Sequence, residues 1–121
     1  MLSAMTPSIV LDPRGSLLLV LGSPGGSRIP TAVYQVITNV IDQEMSLADA
    51  VAAPRLHHQA LPDLIRVERA GFVSTSLDSL EAMGHRVSAW GFKTDVNAIM
   101  RTAEGWVGVA DPRRGGGAAG Y

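Results

Sequence analysis

Apolar residues first gather at Ile9-Val10-Leu11, in a strand entered from Thr6 and Ser8, and the next four positions are Asp12-Pro13-Arg14-Gly15. Asp, Pro and Gly stand where a type I turn wants them, so a hairpin is expected. Its second strand, Leu17 to Leu21, is apolar at every position, which predicts a central strand covered on both faces. After Gly22-Ser23-Pro24-Gly25-Gly26-Ser27 the period lengthens. Ile29, Val33, Val36, Ile37, Val40 and Ile41 share one side of a helix, and Pro30 fits only within its first turn.

Further along, Ser46-Leu47-Ala48-Asp49 has capping-box spacing with Asp in place of Glu, and opens a short helix that Pro54 should close. Leu64 to Glu68 alternates like a strand. Thr75 and Asp78 suggest another cap, with Leu77, Leu80 and Met83 giving one apolar side and Gly84 ending the helix. His85 to Trp90 and Asn97 to Arg101 read as strands, and Glu104-Gly105 turns the latter into Trp106-Val107-Gly108-Val109. The sum is α+β: strands paired by hairpins, with helices segregated from them. The ending, Arg113 to Tyr121, is too rich in glycine to hold itself, so it is expected to be either disordered or pinned by a partner surface.

Composition narrows the classes. At 121 residues and 46% hydrophobic, the chain has the material for one core. Ten basic and eleven acidic residues are scattered singly for a net charge of −1, which offers a nucleic acid no landing surface. Without cysteine there is no disulfide framework, thiolate zinc site or thiol nucleophile. The first residues lack the basic and apolar regions of a leader, and the Leu17–Leu21 run is too short to span a bilayer.

The sharpest local feature is the glycine-rich link between a buried strand and a helix. Glycines let consecutive N–H groups turn the same way, and a helix N-terminus adds partial positive charge, so such a loop suits an anion. It is not a nucleotide P-loop, because no Lys-Ser or Lys-Thr follows the glycines. Composition alone is as consistent with a tight strand-to-helix connection that needs glycine only for its turn. Other candidates are bland. His57 and His58 point apart in an extended segment and no third ligand is placed by spacing, so no metal or other cofactor is expected. Arg55 suits a structural pairing with a carboxylate, Asp95 and Asn97 suit loop chemistry, and Trp90 and Trp106 suit core or interface positions.

Four segments in order carry a resemblance over the whole chain. They are Leu2-Ser3-Ala4-Met5-Thr6-Pro7, the Gly22–Ser27 loop, Ala53-Pro54-Arg55-Leu56-His57-His58-Gln59 followed by Leu61-Pro62-Asp63, and Asp111-Pro112-Arg113-Arg114 with the terminal Gly120-Tyr121. In this the sequence resembles the γ-glutamyltranspeptidases, or glutathione hydrolases, of the N-terminal nucleophile hydrolases. The resemblance implies that residues 1–121 are the C-terminal portion of a small subunit whose full fold is a four-layer αββα sandwich. It implies a precursor that cuts itself to expose an N-terminal Thr, which takes the γ-glutamyl group of glutathione or another γ-glutamyl donor and passes it to water or an amine. The backbone N–H groups of Gly25 and Gly26, after Pro24, are then the oxyanion donors, and Ser3 binds the donor's α-carboxylate.

Two departures follow from the same comparison. Ala4 stands where the family motif has a second Ser, which removes one hydroxyl from the donor site and leaves room for a related amide acylase, such as the cephalosporin acylases. The nucleophile segment precedes the Leu-Ser-Ser-Met motif in the family, so the large subunit and the N-terminal part of the small subunit are expected partners, and the chain alone is expected to be inert. Thr6, ahead of Pro7 and without a free amine, is no substitute nucleophile. A periplasmic or extracellular location is implied by the family only. A stand-alone module for a phosphate or other anion is the alternative from another class.

Overall fold

The computed structural model describes residues 5–68, 71–91 and 94–120. In chain order they form β1 (Ser8–Leu11), β2 (Leu17–Gly22), α1 (Ile29–Ile41), α2 (Leu47–Ala52), β3 (Leu56–His57), β4 (Ile65–Glu68), α3 (Ser74–Ala82), β5 (Val87–Trp90), β6 (Asn97–Thr102) and β7 (Gly105–Val109). The chain divides into two compact units, Met1–Ala52 with Lys93–Tyr121, and Ala53–Phe92, and the hydrophobic core cluster lies in the first.

The first unit is a four-stranded antiparallel sheet in the order β1-β2-β6-β7. The turn between β1 and β2 forms as expected: Asp12 O accepts from Gly15 N at 2.9 Å, and Asp12 Oδ1 accepts from the N–H groups of Arg14 and Ser16. Leu19, Leu21 and Ala98 point to one face and are buried there with Ile29, Ala32, Val33 and Val36 of α1 and Leu47, Ala50 and Val51 of α2. Pro30 sits in the first turn of α1 as its missing N–H requires. At the head of α2 the Ser46 hydroxyl accepts from Asp49 N at 3.1 Å and donates to the Asp49 carboxylate at 2.6 Å, so the cap forms with Asp in the usual Glu place. Thr6 is not in the strand: it has φ 46° ahead of β1, and its carbonyl accepts from Ser8 Oγ.

The opposite face of this sheet departs from expectation. β2 is interior in the sheet, yet its second face is only half-covered, with Val20 half-buried. The register sets Ile9, Val20, Ile99 and Gly108 in one row, and Ile9 (69%), Ile99 (51%) and Trp106 (57%) are exposed. The described part of the glycine-rich ending, residues 115–120, packs on the sheet of its own unit. It turns at Gly115 and runs back along its own sheet, where the Ala118 methyl lies 3.5 Å from the place a side chain on Gly108 would begin. Between tail and sheet is a groove of about 400 Å³ lined by Val20, Ile99, Gly108, Gly117, Ala118 and Ala119. A face of this kind gathers apolar dyes. The 121-residue chain should therefore raise the fluorescence of a hydrophobic dye, and Ile9→Ser with Ile99→Ser should remove most of that signal while leaving the far-UV circular dichroism unchanged.

In the second unit the strand order is β3-β4-β5, and the hairpin rule fails. β3 and β4 are antiparallel, but α3 carries the chain back so that β5 runs parallel to β4, Ile65 facing Val87 and Val67 facing Ala89. A crossover helix is what parallel neighbours require. α3 ends as expected, with Gly84 N donating to Glu81 O at 2.9 Å and His85 N donating to Leu80 O at 3.1 Å, the Schellman pattern. Its start is different: Val73 is the cap residue, no side chain caps it, and Thr75 lies inside the helix. Neither tryptophan is in the core. Trp106 lies on the open sheet face of the first unit, and Trp90 is exposed with the Arg66 guanidinium 4.1 Å above its ring.

Candidate active-site loop

β2 delivers the chain to the loop through Leu19 and Leu21, which anchor the strand in the core. At its end Gly22 passes so near the β1 approach that a Cβ would stand 3.3 Å from Met5 O and 3.6 Å from Pro7 Cα, and Ser23 N donates to Met5 O at 2.9 Å. Ser3 and Ala4 lie outside the described residues. Pro24 and Gly25 are half-buried and Gly26 is exposed.

The two glycines hold backbone conformations that other residues avoid, φ 144° at Gly25 and φ 64° at Gly26. Gly26 opens a 3₁₀ turn, Gly26–Arg28, that runs directly into α1. Arg28 N donates to Gly25 O at 3.4 Å, so the Gly25–Gly26 peptide directs its carbonyl into the turn and its N–H away from it. Among the described residues neither Gly25 N–H nor Gly26 N–H has an acceptor, and neither helical piece carries an acidic residue in its first turn. Donors without partners at the positive end of a helix suit a group that carries or develops negative charge. The constraint at Gly25 is also steric: a Cβ there would come within 2.6 Å of Thr94 Cγ2.

Sequence reading did not find what holds the loop in place. Ser23, Thr94 and Asp111 are all fully buried. Ser23 Oγ donates to Pro24 O at 2.7 Å and accepts from Asp95 N at 3.3 Å. Asp111 Oδ2 accepts from Val96 N at 2.9 Å, and Asp111 Oδ1 accepts from Arg113 N at 3.0 Å and Arg113 Nη1 at 3.1 Å. Arg113 Nη1 also donates to Val51 O at 2.9 Å, covering a carbonyl at the end of α2. The Asp-Pro-Arg spelling was the one available signal, and its structural meaning depends on partners 15 and 62 residues away.

Asn97 Nδ2 donates to Asp95 Oδ1 at 3.2 Å in the first unit, and the Arg55, His57 and His58 candidates belong to the second. Arg55 and His57 are buried there, His57 Nε2 lying 3.0 Å from Gln59 Oε1, whereas His58 is turned outward to Asp63 at 3.0 Å. Arg55 N donates to Glu68 Oε2 and Arg55 O accepts from Glu68 N, which ties this segment to β4. Among the described residues no three His, Cys, Asp or Glu side chains gather as a metal site would need.

The α+β fold is that of part of an N-terminal nucleophile hydrolase, the fold of the solved structures it superimposes on. The chain belongs to the γ-glutamyltranspeptidase family, whose model matches residues 1–121. It is 46% identical over 113 residues to the glutathione hydrolase proenzyme of Escherichia coli, covering 93% of this chain and 19% of that protein. A solved mutant of Helicobacter pylori γ-glutamyltranspeptidase superimposes with a TM-score of 0.85 at 47% identity, over 93% of this chain and 62% of that one. The Pseudomonas nitroreducens enzyme complexed with L-DON gives a TM-score of 0.86 at 43% identity, over 100% of this chain and 64% of that one. The chain thus spans about a fifth of the length of the glutathione hydrolase proenzymes of Escherichia coli, Schizosaccharomyces pombe and Pseudomonas aeruginosa that it matches.

Proposed function

We propose that residues 1–121 form the C-terminal portion of a γ-glutamyltranspeptidase small subunit and supply its oxyanion loop. The carrying observation is the pair of consecutive N–H groups at Gly25 and Gly26, without acceptors among the described residues, in a chain of this family. The substrate is glutathione or another γ-glutamyl amide. A Thr hydroxyl from outside these residues attacks the γ-carbonyl carbon, a C–O bond forms, and the carbonyl electron pair moves onto oxygen. Gly25 N–H and Gly26 N–H receive that charge. As the C–N bond breaks, the amine leaves with a proton, and water or an acceptor amine then resolves the ester. Pro24 holds the entry to the glycines, and Ser3 binds the donor's α-carboxylate.

The test is a chimaera in which this chain replaces the matched segment of the E. coli glutathione hydrolase proenzyme. It should release the chromophore from a γ-glutamyl anilide, and it should retain glutathione as a donor. Ala4 supports one competing reading, an amide acylase with another acyl preference, and the same protein decides between them. Ala4→Ser should lower KM for γ-glutamyl donors, by no more than the roughly 1.5–3 kcal/mol of a hydrogen bond to a charged group. A chimaera that processes itself yet cleaves only non-glutamyl amides would establish the acylase instead.

A further inference from the structure

This inference rests on the reading of Gly25 and Gly26 as oxyanion donors and concerns what aims the first of them. The Pro24–Gly25 peptide is trans, so its C=O and N–H point in opposite directions. Whatever grips the carbonyl therefore dictates where Gly25 N–H points. Ser23 Oγ grips it, at 2.7 Å, from a fully buried position. A serine hydroxyl has one proton and two lone pairs. Asp95 N–H, at 3.3 Å, takes a lone pair, which leaves the proton to Pro24 O.

Asp95 is itself held between two buried neighbours. Thr94 sets its Cγ2 against the space beside Gly25, and Val96 donates its N–H to the buried Asp111 carboxylate at 2.9 Å. The polar groups at the bottom of the loop are thus satisfied in a chain, and each fixes the next. In a region packed this closely an unneeded hydroxyl is a cost, because a buried polar group must find partners. We propose that Ser23 is a positioning residue for the acyl-transfer step: it orients Gly25 N–H toward the oxyanion from beneath, with Thr94–Val96, anchored on Asp111, holding its hydroxyl in place.

The experiment uses the self-processed chimaera and steady-state kinetics with a γ-glutamyl anilide. Ser23→Ala should lower kcat by about 10–10²-fold, the scale of a displaced catalytic group, with KM within roughly two-fold of the parent because the donor's carboxylate contacts are elsewhere. Ser23→Thr, which keeps the hydroxyl, should recover most of the lost kcat. A purely structural serine would lower thermal stability and leave kcat of the folded fraction intact, and that result, or a rise in KM alone, overturns the proposal. Should Ser23→Ala fail to fold, Thr94→Ser serves: it removes the methyl against Gly25 and should lower kcat several-fold, whereas unchanged kcat counts against the support. Gly25→Ala separates the two levels of the argument. If Gly25→Ala is severe and Ser23→Ala mild, the oxyanion reading stands and only the positioning role falls; if Gly25→Ala is mild, the oxyanion reading itself falls.

Discussion

Gly25→Ala in the chimaera should lower kcat for γ-glutamyl transfer by about 10²–10³-fold, the usual cost of losing one oxyanion donor, with KM little changed. Two independent features make a single methyl so costly here. The backbone at φ 144° is a conformation that alanine resists, and the added Cβ would stand 2.6 Å from Thr94 Cγ2, on a side chain that is fully buried. Relief requires the Pro24–Gly25 peptide to rotate, and rotation takes the N–H away from the oxyanion. Gly26→Val acts through φ 64° alone, since nothing lies within 4 Å of a Cβ at that position, so it should be the less disruptive to folding of the two. Gly91→Ala is the control, because its Cβ meets nothing within 4 Å and its φ is not positive. Gly22→Ala would be a poor one, with Met5 O only 3.3 Å from the new methyl. Near-parental acylation by Gly25→Ala, measured by stopped-flow release of the anilide, would remove this loop from the mechanism.

The elements that were legible in the sequence are those whose cause is local. The Asp12–Gly15 turn, Pro30 at the head of α1, the Ser46–Asp49 cap and the Gly84 ending each depend on residues within a few positions of one another, and each forms. The glycine loop was legible for the same reason, since its composition and its place between strand and helix are both short-range. What was not legible depends on distant partners. Alternation identifies β4 and β5 as strands but carries no sign of direction, so the parallel pairing through α3 could not be read from it. Trp90 is large and apolar, which favours burial, but Arg66 on the neighbouring strand gives its ring a partner while leaving it exposed. The tail looked unable to hold itself because its own residues offer nothing to pack; its support comes from β6 and β7 and from the Asp111–Arg113 pair before it. Ser23 and Thr94 gave no signal, since a hydroxyl in a polar stretch is unremarkable until its burial is known.

Asp111→Ala should be among the most destabilising single changes in the chain, by roughly 3–5 kcal/mol, because it breaks a buried ion pair from one side. The carboxylate is fully buried and its partner Arg113 nearly so, at side-chain exposures of 0% and 14%. Alanine would leave Arg113 Nη1 with only the Val51 carbonyl of the two acceptors it now shares, and would strip Val96 N–H of its acceptor inside the core. The loss spreads further than the pair. Val96 begins the path into β6, Val51 lies in α2, and Arg113 starts the tail that covers part of the sheet, so three elements are released together. Asp111→Asn separates the contributions: one amide oxygen still accepts from Val96 N–H or from Arg113, but the charge is gone, and the loss should be about half as large. Urea denaturation of the 121-residue chain, followed by circular dichroism, reads both values from the midpoint at constant m. Equal midpoints for parent and Asp111→Ala would mean that the carboxylate contributes no net stability at its buried site. A loss confined to Asp111→Ala, with Asp111→Asn at the parental midpoint, would mean that the hydrogen bonds hold this corner of the fold and the charge does not.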